Sequence, residues 1–153
     1  LKRYLLTAID YHSRLALAYM YPSKTAKHAT DFLKRLFLLF GFVSNIHVDN
    51  GSEFKADFEA AAARLGVTLY HARPYQAQDK PRIERFNGTI QQEYIDLGHY
   101  TTDVEKFNHH LVDWLLYYNF KRPHHSLGLK RPAEFARLGV TEVSPILSPI
   151  TIP

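Results

Sequence analysis

The order of its segments predicts an α/β fold with a mixed sheet flanked by helices. Two strand-like runs, residues 3 to 10 and 14 to 21, are separated only by Tyr11-His12-Ser13, and so short a link requires an antiparallel hairpin. A helix, a short strand, a helix and another strand then alternate before the chain turns wholly helical, the pattern of a sheet covered on both faces.

The hairpin runs are rich in apolar and aromatic residues, Arg3-Tyr4-Leu5-Leu6-Thr7-Ala8-Ile9-Asp10 and then Arg14 to Tyr21. From Thr25 to Phe40 the apolar residues Ala26, Ala29, Leu33, Leu36, Phe37 and Phe40 recur at helical spacing, with Ser23 in reach as a cap and Gly41 as the stop. Residues 44 to 48 form a short strand and Asn50-Gly51 a turn. Phe54 to Leu65 reads as a helix ended by Gly66, and Val67 to His71 as the returning strand. After the loop from Pro74 to Lys80, a helix from about Arg82 to Leu97 buries Ile83, Phe86, Ile90 and Tyr94, which leaves Glu84, Asn87 and Gln91 together on another face. Thr102 and Glu105 have capping-box spacing before the last long helix, which carries Val104, Phe107, Leu111, Trp114, Leu115 and Tyr118. Residues 1–98 are read as the core, 99–139 as a helical part of the same domain, and 140–153 as an extended tail containing Pro145, Pro149 and Pro153.

With 153 residues and 46% hydrophobic content, the chain can bury a sizeable core. It has no cysteine, which excludes a disulfide framework and thiolate zinc, and no apolar run of membrane-spanning length. The paired histidines His109-His110 and His124-His125 lack thiolate partners and point apart on a helix, so no zinc site is expected. A formal charge of +4 suits a polyanionic partner without requiring one. The basic bias is concentrated late, where Lys121, Arg122, Lys130, Arg131 and Arg137 face only Glu134.

Two carboxylates carry the chemical argument. Asp49 follows the apolar strand Ile46-His47-Val48, where open α/β sheets gather their ligands, and Glu84 lies on the helix that begins near Arg82. Read alone, Asp-Asn-Gly is a turn whose aspartate bonds its own backbone, and Glu84 is one charge in a solvated cluster. Converging from distant segments, however, they are the hard oxygen ligands that a divalent-metal phosphoryl-transfer site needs.

The combination resembles the catalytic cores of DDE transposases and retroviral-type integrases, particularly bacterial insertion-sequence enzymes. The resemblance lies in Ala8-Ile9-Asp10-Tyr11-His12-Ser13-Arg14, His47-Val48-Asp49-Asn50-Gly51-Ser52-Glu53-Phe54, Arg73-Pro74-Tyr75-Gln76-Ala77-Gln78 and Ile83-Glu84-Arg85-Phe86-Asn87-Gly88. It continues through Tyr117-Tyr118-Asn119-Phe120-Lys121-Arg122-Pro123-His124 to Pro132-Ala133-Glu134, in the family's order, and the 34 residues between Asp49 and Glu84 are close to its spacing.

The resemblance implies a ribonuclease-H-like fold that cuts and joins DNA with Mg²⁺ or Mn²⁺. Asp49 and Glu84 would be the second and third acids and the metal ligands. Asn87 would order the site or bond substrate, Lys80, Arg82 and Arg85 would contact phosphate, and Tyr75 would stack on a base or sugar. In this family the first acid lies on a strand that precedes the hairpin. That strand is expected upstream of Leu1, so Asp10 is read as a hairpin residue bonding the Ser13-Arg14 turn, and the two-metal site is complete only with the absent aspartate. Asp79-Lys80-Pro81 departs from the relatives' usual polar-Asn-Gly or polar-Gln-Gly approach to the helix, a change that stiffens the loop and keeps the helix start. The implied partners are transposon ends and target DNA, bound by a homo-oligomer in the bacterial cytoplasm at the nucleoid, with no membrane. The competing expectations are a metal-dependent nuclease that does not join strands and a non-catalytic DNA-binding or assembly module.

Overall fold

The computed structural model describes residues 2–10, 13–41, 43–48, 51–71, 80–123, 131–132 and 146–152, of which 80–82 and 146–152 are described by backbone alone. A hairpin opens the chain. Strand β1 (Arg3–Ile9) pairs antiparallel with β2 (Ala16–Tyr21) in a register running from Tyr4 opposite Tyr21 to Ile9 opposite Ala16. Helix α1 (Ala26–Phe40) leads to β3 (Asn45–Val48), and a 3₁₀ turn over Ser52–Phe54 precedes α2 (Asp57–Arg64) and β4 (Thr68–His71). Helix α3 (Lys80–Ile90) runs on into a π-helical stretch over Gln91–His99. Helix α4 (Val104–Phe120) follows, and β5 (Ile146–Ile152) ends the described chain.

The strands form one mixed sheet in the order β2-β1-β5-β3-β4. Strand β5 was expected only as an extended tail. It instead lies between the hairpin and the parallel pair β3-β4, antiparallel to β1 and parallel to β3. Its ladder with β1 spans Thr7↔Ser148 to Arg3↔Ile152, whereas its ladder with β3 covers only His47↔Ile146 and Val48↔Leu147. Beyond Leu147, therefore, the β3 side of β5 has no ladder among the described residues.

Strand alternation sends each face to its own helix layer. Leu6, Ala8, Ile46 and Val48 pack with Phe32, Leu33 and Leu36 of α1 and Phe58 of α2. On the other face Leu5, Ile9, Ala16, Ala18 and Met20 meet Ile83, Phe86 and Ile90 of α3 and Phe107, Leu111 and Leu115 of α4. This is the three-layer arrangement expected of alternating strands and helices. Trp114, expected in the core, is half-buried against the second cluster, tilted over Phe86 and Tyr118 at centroid distances of 6.3 and 5.4 Å.

The helix caps differ from expectation by a residue or two. Thr25, not Ser23, caps α1, its hydroxyl accepting from the His28 N–H at 3.2 Å, while Ser23 turns to the His28 ring. Asp103, not Thr102, caps α4 by accepting from the Lys106 N–H at 3.1 Å. The helix expected from Phe54 to Leu65 begins at Asp57, because the chain leaves the turn as a single 3₁₀ turn and passes through Ala56 at φ 42° before α2 can start.

Candidate active site

Helix α3 carries the described part of the site. Pro81 falls in its first turn, where the missing N–H has no intrahelical acceptor to lose, so the Lys80-Pro81 departure leaves the helix start intact. Ile83, Phe86 and Ile90 fix its buried face, and it packs on β1 and β5. Glu84 and Asn87, three residues apart, share a neighbouring face. Glu84 and Arg85 are exposed, and Asn87 is half-buried.

Asn87 is fastened to the sheet. The hydroxyl of Thr7, on β1, donates to Asn87 Oδ1 at 2.8 Å, and Thr7 is fully buried. Sequence reasoning singled out Asn87 as a residue that could order the site and did not find its partner. A threonine in a run of strand formers carries no signal of its own, and only the packing of α3 on β1 brings the two together. The bond fixes the α3 face bearing Glu84 over the middle of the sheet, one strand away from β5 and two from β3. At about 4.8 Å per strand, the C-terminal end of β3 lies about 10 Å from Thr7 across the sheet.

Asp49 follows Val48, the last residue of β3, and lies outside the described residues, as does Tyr75. Lys80 and Arg82 are placed in α3 by their backbone, and their side chains are likewise outside the described set. The basic stretch after α4 is not a uniformly free cationic face. Arg122 makes a bidentate pair with Glu93, Nε to Oε1 at 3.1 Å and Nη2 to Oε2 at 2.8 Å, and this pair holds its guanidinium above the usual arginine range against the opposing effect of burial.

Asp10 behaves as the turn residue it was read to be. Its carboxylate accepts from the Ser13 N–H at 3.0 Å and from the Ser13 hydroxyl, while the Asp10 N–H donates to the Leu15 carbonyl at 2.8 Å. It is 3% exposed and committed to closing the hairpin.

A further buried carboxylate follows the Asp-Asn-Gly motif in sequence. Glu53 is 3% exposed, and Lys24 Nζ lies 3.7 Å from its Oε1, linking the entry of α1 to the 3₁₀ turn after β3. Neither carboxylate oxygen has a hydrogen bond among the described residues. A Cβ on Gly51 would fall 2.6 Å from Oε1, so glycine is what lets the turn close over this group. Its adjacency to the Asp-Asn-Gly motif was the only signal in the sequence.

Glu84 suits a hard divalent cation: it is an exposed oxygen donor with no hydrogen bond or ion pair among the described residues. No cluster of three or more His, Cys, Asp or Glu side chains that could hold a metal occurs among the described residues.

The mixed sheet between helix layers, with α3 laid over its centre, defines a ribonuclease-H-like α/β domain. The catalytic core domain of BIV integrase shares this fold, with a TM-score of 0.72 and 25% identity over 88% of this chain and 86% of that one. A chain of the simian T-cell lymphotropic virus intasome superposes with a TM-score of 0.69 at 20% identity, over 86% of this chain and 47% of that one. The family model for the integrase core domain matches residues 1–77, and a second integrase core domain model matches residues 65–132. The chain belongs to the integrase core domain family. It is 28% identical to the putative integrase ORF3 of Spiroplasma virus SpV1-C74 over 88% of its own length and 42% of that protein. It is also 27% identical to the transposase for insertion sequence element IS904 of Lactococcus lactis, over 60% of this chain and 37% of that protein. The chain thus spans less than half the length of these curated relatives. No helix among the described residues is long and apolar enough to cross a membrane.

Proposed function

We propose that the chain is the catalytic-core portion of a DNA transposase or integrase that cleaves DNA and transfers strands with a divalent metal. The observation that carries this reading is the Thr7–Asn87 bond, which holds the face of α3 bearing Glu84 over the centre of the sheet, in a chain of the integrase core family. Asp49 and Glu84 are the proposed metal ligands. Bound there, Mg²⁺ or Mn²⁺ would act as a Lewis acid on phosphoryl oxygens. Asn87 keeps Glu84 oriented, while Lys80, Arg82 and Arg85, successive basic residues about the first turns of α3, draw the DNA backbone toward it. Tyr75 stacks on an unpaired base or sugar. The substrates are transposon ends and target DNA, the working form is a homo-oligomer on DNA, and the setting is the bacterial cytoplasm at the nucleoid.

A non-catalytic DNA-binding or assembly module is the second reading. Calorimetric titration of Mn²⁺ into the chain and into its Asp49→Asn and Glu84→Gln variants tests the first. Weak binding that disappears in both variants is expected. Binding that either variant leaves unchanged removes that residue from the site, and strand transfer untouched by Glu84→Gln in a longer relative of this chain would refute the catalytic reading.

A further inference from the structure

The described helices on the α3 side of the sheet lie chiefly over one half of it, with α3 packed on β1 and β5 and α4 on β2. In the other half, β3 and β4 send Ile46, Val48 and Leu69 into the core cluster beneath α1. Alternation therefore brings Asn45, His47, Thr68 and Tyr70 to the α3 side. Asn45 and His47 are half-buried there, Thr68 is exposed and Tyr70 is 48% exposed.

Two of these side chains form a stack. His47 and Tyr70 are register partners on the parallel strands, and their ring centroids lie 5.0 Å apart at an interplanar angle of 21°. That separation is close to the spacing of neighbouring strands, about 4.8 Å, so the stack runs across the sheet. Strand β4 is the last in the sheet order, which makes Tyr70 the outermost ring: one face lies on His47, and no described strand lies beyond the other. A stack that ends in an exposed aromatic ring can be extended by one more flat ring. Because His47 already holds the tyrosine, part of the ordering cost of such a site is met before a ligand arrives.

We propose that Tyr70, backed by His47, is a stacking site for an unpaired base of a DNA strand. The proposal rests on the DNA-processing reading given above and adds Tyr70, which lies outside the motifs that carry the family resemblance. Three features commit the surface to a base. A formal charge of +4 draws in a polyanion. Sheet faces that present aromatic rings hold single strands without reading sequence, since every base has a π face. Finally, each ring stands one residue from the C-terminal end of its strand, the end at which open α/β sheets gather ligands.

The test compares a blunt duplex with the same duplex bearing a short single-stranded overhang, followed by fluorescence anisotropy of labelled DNA with chelator present. The overhang should bind the chain more tightly. Tyr70→Leu should weaken overhang binding by about fivefold to 150-fold. It should leave blunt-duplex affinity and the salt dependence unchanged, because no phosphate contact is removed. Tyr70→Trp should retain tight overhang binding. A second measurement uses the unaltered chain, so it does not depend on how a variant folds: an overhang carrying 5-iodouracil, irradiated in the complex, should crosslink to Tyr70, as located by mass spectrometry. Crosslinks only at other residues, or overhang binding by Tyr70→Leu equal to that of the parent, overturn the proposal. If blunt and overhang DNA bind alike, the stacking site fails while the DNA reading stands; if neither binds, both fall. Loss of Mn²⁺ binding or of strand transfer bears on the metal site alone, since the stacking measurements need neither.

Discussion

Strand β2 is the outer edge of the sheet, and two asparagines of α4 close it. Asn108 accepts from the Met20 N–H at 2.7 Å and donates to the Met20 carbonyl at 3.0 Å. Asn119 does the same at Ala16, with both bonds at 2.9 Å. Each side-chain amide thus replaces one rung of an absent neighbouring strand. The spacing explains why two suffice and why they match. Eleven helical residues rise about 16 Å in three turns, which returns both asparagines to one face, and four strand residues span about 13 Å on one edge. Asn108 and Asn119 are 4% and 3% exposed, so water cannot readily take their place.

Asn108→Ala removes two hydrogen bonds and leaves a buried N–H and a buried C=O without partners. At about 1–3 kcal/mol for each unsatisfied group, the loss should be about 2–6 kcal/mol, and Asn119→Ala should match it. Urea unfolding followed by circular dichroism measures this as a midpoint lowered by about 1–3 M at unchanged slope, for a slope of about 2 kcal/mol/M. The two sites are farther apart than the range over which mutations usually couple, so the double variant should equal the sum to within about 0.5 kcal/mol. A loss below about 0.5 kcal/mol in either single variant would refute the clamp as a stabilising element. The closed edge also predicts behaviour beyond stability, since an unpaired strand edge templates association. Both variants should therefore aggregate faster than the parent chain at equal fractions folded.

Two further substitutions test the buried polar groups. Gly51 has an ordinary φ of −63°, so Gly51→Ala is conformationally allowed and its cost is steric. With the new methyl 2.6 Å from Glu53 Oε1, destabilisation of about 1–3 kcal/mol is expected in chemical denaturation, and adding Glu53→Ala should recover part of it; purely additive losses would show that the two do not collide. Tyr94 donates its hydroxyl to the Phe107 carbonyl at 3.1 Å, and burial, with Asp113 nearby, pushes its pKa up to about 12. Below pH 10 the phenol is protonated in both states. Between about pH 10 and 12 the unfolded chain gives up that proton first, so stability should fall by up to about 2–3 kcal/mol across this window. Tyr94→Phe should lose about 1 kcal/mol at neutral pH and show a shallower alkaline decline, and an unchanged decline would exclude Tyr94 as its source.

What the sequence disclosed was governed by how local each determinant is. The hairpin, helices α1 to α4 and the strands leading to Val48 and His71 follow from periodicity and turn chemistry within a few residues. Asp10 was legible for the same reason: its partner Ser13 is three residues away. Caps were blurred because several oxygen-bearing side chains compete at each helix entry, and the winner depends on the angle at which the chain arrives. The contacts that assemble the site are of another kind. Thr7 meets Asn87 across 80 residues, and the β1 strand that carries Thr7 is paired with β5 from the other end of the sequence.

Strand β5 did leave a trace, in the alternation of Ile146, Ser148, Ile150 and Ile152, but Pro149 masks it, since proline argues against any central strand paired along both edges. What settles the conflict is pairing that no local window of sequence contains: β5 runs antiparallel along β1 over five successive partners, from Thr7↔Ser148 to Arg3↔Ile152, between strands separated from it by more than ninety residues.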